Sequence, residues 1–238
     1  DALAAALSVP ETWFFRGGRP LFDRLAGFLA GHAARPGGAR ALSAPCSTGE
    51  EAYSLAIACR EQLAPPAECA VDAIDVSEPN LLRAAAGVYT GGSFREPGPD
   101  VRPAYFRRAA DRWEVLPHIR AAVRFQPANL ADPLFLAHER PYDLILCRNV
   151  FIYLTPDAKQ RAMANLDRLL APDGRLCLTP AEADRLPAGR FGPDGPTEFG
   201  IYRRAAAGGA GHTAPPPDPP AARADPPAPA PLPPAGPG

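Results

Sequence analysis

A strand that runs into a loop of small residues and then into an amphipathic helix lies near the start of this chain, at residues 41–63. The loop, residues 44–49, reads Ala-Pro-Cys-Ser-Thr-Gly. Small side chains let backbone N–H groups approach a ligand at the amino end of a helix. The helix then carries apolar or small residues at the spacing of one face: Ala52, Leu55, Ala56, Cys59 and Leu63. The pattern predicts a ligand-binding turn of an α/β fold, a class in which such turns also occur without ligands.

A second stretch, residues 142–153, ends a strand in polar residues. A strand of buried type at 144–147 is followed at once by Arg148 and Asn149, and Tyr153 comes shortly after them. Ligands of an open α/β sheet bind beyond the carboxyl ends of its strands. We therefore expect both stretches to face one crevice.

Strand and helix patterns alternate along the rest of the chain. Amphipathic helices are predicted to begin near Pro20, Ser77 and Thr155, and strands are predicted at 40–44, 69–75, 123–126, 143–147, 175–179 and 198–203. This alternation predicts an α/β fold, with a mostly parallel sheet that is covered by helices on both faces. A small antiparallel β excursion is expected around residues 113–116.

Asp75 closes the predicted second strand. An acidic residue at this place in a nucleotide-binding unit can accept hydrogen bonds from two ribose hydroxyls. A simple turn aspartate is the other interpretation, and the residues alone leave both open. The first loop lacks the G-x-G-x-x-G spacing, which disfavours a nicotinamide-binding domain.

Charge and cysteine content exclude several classes of protein. A formal net charge of −1 argues against a general nucleic-acid binder. The five cysteines form no CxxC pair, and three of them sit in apolar patterns that are typical of small core residues, so we expect neither a disulfide framework nor a metal site. Without a long apolar run or a signal-peptide pattern, we expect a soluble, cytoplasmic protein with no membrane insertion.

The motifs together resemble the CheR-type chemotaxis receptor glutamate methyltransferases, across roughly residues 8–204. The motifs that carry the resemblance are residues 11–16 (Glu-Thr-Trp-Phe-Phe-Arg), 43–54, 73–77, Asn129-Leu130 and 146–153. The resemblance implies a class I methyltransferase with a doubly wound, seven-stranded type of sheet. Its cofactor would be S-adenosylmethionine, with S-adenosylhomocysteine as product, and its substrates would be glutamate side chains of chemoreceptors.

The same resemblance implies roles for individual residues. Thr12 and Arg16 would face the cofactor and the methyl-transfer site, and Glu50 would hold the methionine part of the cofactor. Asp75 would bind the ribose hydroxyls. Asn129 and Leu130 would contact the adenine. Arg148 and Asn149 would lie beside the sulfonium, and Tyr153 would close the acceptor site.

The chain departs from the family pattern at several places. Pro10 stands where the family often has asparagine, and Pro45 stands where a glycine is usual. Most of a small helical front domain is missing from the sequence, and the loop at 109–112 is short, as in family members that do not dock a receptor tail peptide. These departures motivate an alternative, a module that binds the cofactor but is an inactive regulator or scaffold. A methyltransferase for a small molecule is a third, less favoured hypothesis.

Composition and resemblance divide the chain into three parts. Residues 1–18 would be a lead-in and the remnant of the N-terminal helical domain. Residues 19–204 would form the methyltransferase domain, with a small β-subdomain at about 101–122. Residues 205–238 are rich in Pro, Ala and Gly, which predicts a disordered tail or linker. We expect a monomer whose partners are the cytoplasmic domains of chemoreceptors and whose tail joins a further domain or partner.

Overall fold

The computed structural model describes residues 11–63 and 69–205. Its helices are α1 (Arg19–Ala30), α2 (Glu50–Gln62), α3 (Glu78–Ala86), α4 (Arg102–Tyr105), α5 (Pro117–Arg120) and α6 (Pro156–Leu169). Its strands are β1 (Ala39–Ser43), β2 (Cys69–Asp75), β3 (Val88–Tyr89), β4 (Phe106–Ala109), β5 (Arg112–Val115), β6 (Val123–Pro127), β7 (Tyr142–Leu146), β8 (Leu170–Cys177), β9 (Phe191–Pro193) and β10 (Ile201–Arg204). Short 3₁₀ turns lie at Gly91–Ser93, Phe151–Tyr153, Pro180–Arg185 and Thr197–Phe199.

A seven-stranded sheet forms the centre of the fold, in the order β6-β2-β1-β7-β8-β10-β9. The first five strands of this order pair in parallel, and β10 is antiparallel to both β8 and β9. The predicted α/β class and the mostly parallel, seven-stranded sheet are confirmed. Because the five parallel strands share a direction, their carboxyl ends meet at one edge of the sheet.

Two clusters of buried side chains cover the two faces of the sheet. Helices α1 and α2 contribute to one cluster, with Phe22 and Leu55 fully buried, and α6 contributes Leu166 to the other. The predicted face of α2 is buried as far as Cys59, and Leu63 lies half-buried just after the helix ends at Gln62. The other residues of the helix from Ala52 to Cys59 are buried as well. The helix lies between α1 and the sheet, and for this reason its sequence shows only a weak one-face pattern.

The antiparallel excursion is confirmed and is larger than the sequence indicated. It is a three-stranded sheet in the order β3-β5-β4, which spans residues 88–115 rather than 113–116. Phe14 packs against its aromatic side chains, with ring centroids 4.9 Å from Tyr89 and 5.0 Å from Phe106. Trp113 belongs to the same cluster through Phe94.

Two strand boundaries also differ from the sequence prediction. β8 begins at Leu170 rather than at 175, and the Pro-Asp-Gly sequence at 172–174 lies inside it, beside a register irregularity in the pairing of β7 with β8. A side chain at Gly174 would lie 2.9 Å from the backbone oxygen of Asp143, so glycine permits the close approach of the two strands. The last strand begins at Ile201 rather than 198 because a 3₁₀ turn, closed by Gly200 with φ 63°, precedes it.

The cysteines behave as small core residues. Cys46, Cys59, Cys147 and Cys177 are buried, Cys69 is half-buried, and none of the five is in a disulfide. Helices of the described segments are all too short or too polar to cross a bilayer.

Candidate functional site

The carboxyl edge of the sheet gathers most of the predicted site residues. Ser43 and Asp75 end β1 and β2, which are neighbours, and Arg148 follows the end of β7 on the other side of β1. Asn129 follows β6, the next strand beyond β2. The order of the strands therefore brings four separate stretches of sequence to one edge, as the crevice prediction requires.

Asp75 is buried and holds the small-residue loop in place. Its Oδ2 accepts a hydrogen bond from the Ser47 N–H at 2.8 Å, and its Oδ1 accepts one from the Ser77 N–H at 2.8 Å. Burial raises the pKa of Asp75, although the N–H groups of Ser77, Ser47 and Val76 act in the opposite direction. Each oxygen keeps a lone pair that these contacts do not use.

The loop itself is anchored at both of its ends. The Cys46 N–H donates to the carbonyl of Ile74 at 2.8 Å, and the Tyr89 hydroxyl donates to the carbonyl of Thr48 at 2.7 Å. Gly49 has φ 96°, and a side chain there would lie 2.9 Å from Cβ of Ala84. Only glycine fits this junction without strain, because φ is positive and α3 lies so close.

Glu50, the first residue of α2, is a buried carboxylate. Only 3 % of the residue is exposed, and its oxygens accept hydrogen bonds from Thr48 Oγ1 at 2.7 Å and Ser93 Oγ at 3.0 Å. Burial raises the pKa of Glu50, and the hydroxyls and the charge of Arg95 partly oppose this shift. A buried carboxylate with hydroxyl donors is suited to bind a cationic group.

Arg148 connects the carboxyl edge to the aromatic motif at 11–16. Its Nη1 donates to the carbonyl of Arg16 at 2.7 Å and forms an ion pair with Glu51 at 3.2 Å. Glu51 also accepts a hydrogen bond from Ser43 Oγ at 2.8 Å. A side chain at Gly17 would meet Nη2 of Arg148 at 2.6 Å, so glycine is needed next to Arg16. The Arg148 Nε is buried without a hydrogen-bond partner among the residues that the structure describes.

Two phenylalanines fix the aromatic motif on the core. Phe14 and Phe15 are 2 % and 6 % exposed. The Phe14 N–H donates to the carbonyl of Ser93, and the Phe15 N–H donates to Ser54 Oγ, both at 2.8 Å. These bonds and the Arg148 contact hold the backbone on either side of Arg16, whose side chain is half-buried.

The Arg16 guanidinium stacks on an indole ring. Its Cζ lies 4.5 Å from the ring centroid of Trp13, and its Nη1 donates to the carbonyl of Glu11. Within residues 11–63 and 69–205, no carboxylate forms an ion pair with Arg16.

Glu182 is a site residue that the sequence analysis missed. It is 2 % exposed, and its oxygens accept hydrogen bonds from the N–H groups of Asn149 and Phe151, at 2.9 and 3.0 Å, and from Thr179 Oγ1 at 2.6 Å. This carboxylate holds the chain after β7, where Asn149 has φ 60°. The Thr-x-x-Glu pattern at 179–182, which resembles a capping box, could have indicated from the sequence that Glu182 binds backbone N–H groups.

The other predicted site residues are less closely connected. Thr12 is half-buried, Asn129 is exposed with its Oδ1 bonded to the Ala131 N–H, and Leu130 is 7 % exposed in the core. Tyr153 is 66 % exposed. In the described segments no hydrogen bond joins Asn129 or Tyr153 to Arg16 or Arg148, so their placement at the site rests on strand order alone. Pro10 lies outside the described residues, and Pro45 is present in the loop with a cis peptide bond before it.

Comparison with known proteins gives a family match over most of the chain. Residues 10–187 match the family described as "CheR methyltransferase, SAM binding domain". A probable biofilm formation methyltransferase, WspC, of Pseudomonas aeruginosa is 40% identical over 212 residues, which cover 86% of this chain and 49% of the relative. A chemotaxis protein methyltransferase of Klebsiella aerogenes is 36% identical and covers 74% of this chain and 61% of the relative.

The chain spans about half the length of the WspC proteins that it matches, 49% and 44%. Among solved structures, a TehB-like SAM-dependent methyltransferase from Corynebacterium glutamicum is 20% identical, with a TM-score of 0.41 over 74% of this chain and 66% of that one.

Proposed function

This chain belongs to the CheR methyltransferase family and contains the SAM-binding domain of that family, and we propose that it transfers a methyl group to glutamate side chains of chemoreceptors. The donor is S-adenosylmethionine. The observation that carries the proposal is the hydrogen bond of Arg148 Nη1 to the carbonyl of Arg16, at 2.7 Å. It ties the aromatic motif, which is remote in sequence, to the carboxyl edge that holds Asp75 and Glu50.

The residues at this edge fit the cofactor. Asp75 keeps free lone pairs beside the small-residue loop, as two ribose hydroxyls would require. Val76, the next residue, leaves an apolar side chain 57 % exposed, which suits an aromatic base. Glu50 is the carboxylate for the ammonium of the methionine part. We retain Asn129 and Leu130 as adenine contacts, and Thr12, Arg16, Arg148 and Asn149 as the remaining cofactor contacts.

The contacts of Arg148 refine its proposed role. Its guanidinium is bonded to Glu51 and to the Arg16 carbonyl, so it orients the aromatic motif in addition to lying beside the cofactor. Its Nε is buried and has no hydrogen-bond partner within residues 11–63 and 69–205, so it is an unsatisfied donor beside the proposed cofactor contacts. Glu182 would act indirectly, because it holds the backbone of Asn149 and thereby positions that residue.

The proposed reaction needs no general base. A glutamate carboxylate is ionised near neutral pH and is a nucleophile without loss of a proton. The bound cofactor supplies an electrophilic methyl group. The residues of this chain have to align the acceptor and exclude water, which can lower the barrier by about 7–11 kcal/mol.

Arg16 is the proposed residue that orients the acceptor carboxylate, because a guanidinium offers paired donors to two oxygens. A very tight pair would stabilise the nucleophile and slow transfer. Its stacking on Trp13 leaves the guanidinium without an ion pair in the described parts of the chain, which supports a transient contact. Tyr153, exposed after β7, would close the acceptor site.

The partner and the setting of the reaction belong to the same proposal. The acceptors would be cytoplasmic domains of chemoreceptors, in adaptation of chemotaxis-type signalling in the cytoplasm. Residues 19–204 would be the catalytic domain, with 1–18 as its lead-in, and residues 205–238 would connect it to a further domain or partner.

Radiolabelled methyl transfer tests the proposed function. The chain is incubated with methyl-labelled S-adenosylmethionine and a chemoreceptor cytoplasmic fragment, and label that is released by mild base is counted. We expect base-labile label on the fragment and a loss of at least tenfold in Arg16→Ala, since one positioned guanidinium–carboxylate contact is worth about 1.5–3 kcal/mol.

The matched control is Arg60→Gln, an exposed arginine in the last turn of α2, away from the site. It should transfer label as the parent does. Tight binding of S-adenosylhomocysteine without transfer to any acidic receptor fragment would instead support the inactive binding module, and turnover of a free small carboxylate alone would support a small-molecule enzyme.

A further inference from the structure

The indole of Trp13 carries two guanidinium groups. The Cζ of Arg95 lies 4.1 Å from its ring centroid, and the Cζ of Arg16 lies 4.5 Å from it. Because both guanidinium carbons lie within 4.5 Å of the same ring centroid, the two positive charges are close to each other. Like charges at such a separation repel. Their proximity marks a place where negative charge is stabilised.

Two nearby carboxylates, Glu96 and Glu50, are engaged with other groups. Glu96 Oε2 accepts a hydrogen bond from Trp13 Nε1 at 2.6 Å, and Glu50 is bonded to Thr48 and Ser93. In the part of the chain that the structure describes, neither Arg16 nor Arg95 has an ion pair.

Two other stacked arginines nearby do have carboxylate partners. Arg19 lies over Phe15 and pairs with Asp23 at 2.7 Å. Arg102 lies over Phe94 and pairs with Asp100 at 2.7 Å. Stacking on an aromatic ring therefore does not prevent an arginine of this protein from binding a carboxylate.

Arg95 is fixed at the mouth of the candidate site. The segment that carries it is held by the hydrogen bond from the Phe14 N–H to the carbonyl of Ser93, at 2.8 Å. The charge of Arg95 also acts on the buried carboxyl of Glu50, whose pKa it lowers against the effect of burial. Arg95 itself is exposed, so a macromolecule can reach it.

We propose that Arg95 is a specificity residue that binds a second carboxylate of the acceptor, close to the glutamate that Arg16 orients. The inference rests on the proposed function. On an α-helix, residues three or four positions apart have Cβ atoms about 5–6 Å apart and point to the same side. Two carboxylates on one side of a helix can each reach one of two guanidinium groups that lie within 4.5 Å of the same ring centroid. The acceptor class is therefore an acidic helical segment with carboxylates one turn apart.

Three alanine-based helical peptides of about 20 residues test this assignment, a length at which such helices form. Each has one central glutamate. The first has a second glutamate four residues later, the second has glutamine there, and the third has its second glutamate two residues later, on a different side of the helix. The first and third peptides have the same net charge, so their comparison separates position from general attraction.

Binding is measured by fluorescence anisotropy of labelled peptides with the S-adenosylhomocysteine-loaded protein, as parent, Arg95→Gln and Arg60→Gln. We expect the parent to bind the first peptide roughly three- to tenfold more tightly than the other two, as one partly exposed charge pair allows. Arg95→Gln, measured at saturating S-adenosylhomocysteine, should remove that preference. Arg60→Gln should retain it.

The proposal is overturned if the parent does not prefer the first peptide, or if Arg95→Gln weakens all three peptides by the same factor. This readout requires no turnover. A parent that keeps the peptide preference but transfers no methyl group would contradict the proposed function and leave the role of Arg95 supported.

Discussion

At the scale of single residues, the site depends on buried carboxylates whose charge is kept available for ligands. Asp75 and Glu50 both have raised pKa values because burial disfavours the ionised form. Asp75 accepts two backbone N–H groups, and Glu50 accepts two hydroxyls. In the ligand-free protein, burial therefore destabilises the ionised forms of both carboxylates. A ligand that supplies further hydrogen-bond donors would stabilise them.

Asp75→Asn is expected to weaken S-adenosylhomocysteine binding by about ten- to hundredfold, since hydrogen bonds to a charged group contribute about 1.5–3 kcal/mol. Only the ionised carboxylate accepts donors at both oxygens, so parental affinity should fall as the pH is lowered from neutral through the raised pKa of Asp75. The fall should be smaller in the variant. Isothermal titration calorimetry across this pH range measures both effects.

The contribution of Asp75 to the stability of the ligand-free protein should change with pH in the opposite direction to the ligand affinity. Because the folded pKa of Asp75 is raised, the group contributes stability below its unfolded pKa, and this contribution is lost as the pH rises through the folded pKa. Asp111→Asn, in the exposed loop between β4 and β5, is the matched control. It should change neither the affinity for S-adenosylhomocysteine nor the pH dependence of stability. Equal cofactor affinity in Asp75→Asn and the parent would contradict the assignment.

At the scale of elements, the junction of β1, the loop and α2 is shaped by backbone conformation as much as by side chains. Gly49 combines φ 96° with a close approach to α3. The helix therefore begins at Glu50 directly beneath the loop that Asp75 holds. The amino end of α2 also brings Glu51 into contact with Arg148, and in this way one helix supports both halves of the site.

Gly49→Ala should lower the free energy of unfolding by about 1–3 kcal/mol, since alanine is strained at a positive φ and its Cβ would press on Ala84. S-adenosylhomocysteine affinity should fall as well. Gly27→Ala, in the exposed interior of α1, is the control: its Cβ would meet only the end of the Gln62 side chain, and it should stabilise by up to about 1 kcal/mol. Urea unfolding curves of the parent, Gly49→Ala and Gly27→Ala measure these changes in stability. An unchanged midpoint for Gly49→Ala would refute the argument.

At the scale of the whole molecule, the core of the described residues lies on the two faces of the seven-stranded sheet. Residues 206–238 are rich in Pro, Ala and Gly and contain one large aliphatic residue, Leu232. From this composition we predict that the segment adds little to the stability of the domain. The stability of the domain should therefore come from the residues before it.

Deletion of residues 206–238 is expected to change the free energy of unfolding by less than about 0.5 kcal/mol, the usual range for changes outside the core. S-adenosylhomocysteine affinity should also be unchanged. Thermal and urea unfolding of the full chain and the shortened chain, with and without this ligand, provide the measurement. A large loss of stability would show that the segment packs on the domain.

The sequence determined those features that depend on local pattern. The span of β2 was predicted correctly, Ser77 caps α3 as predicted, and Gly87 ends that helix in the left-handed conformation. Polar residues at strand ends, together with the family motifs, indicated the carboxyl edge as the site. Each of these signals lies within a few neighbouring residues and follows from strand or helix geometry.

Only the tertiary structure decided which distant residues meet. The bond of Arg148 to the Arg16 carbonyl joins residues that are 132 positions apart, and Glu182 reaches Asn149 from a different strand end. The stacking of Arg16 and Arg95 on one indole likewise has no signal in the local sequence. Contacts of this kind depend on the order of strands in the sheet and on side-chain packing across it, and periodicity along the chain carries no information about either.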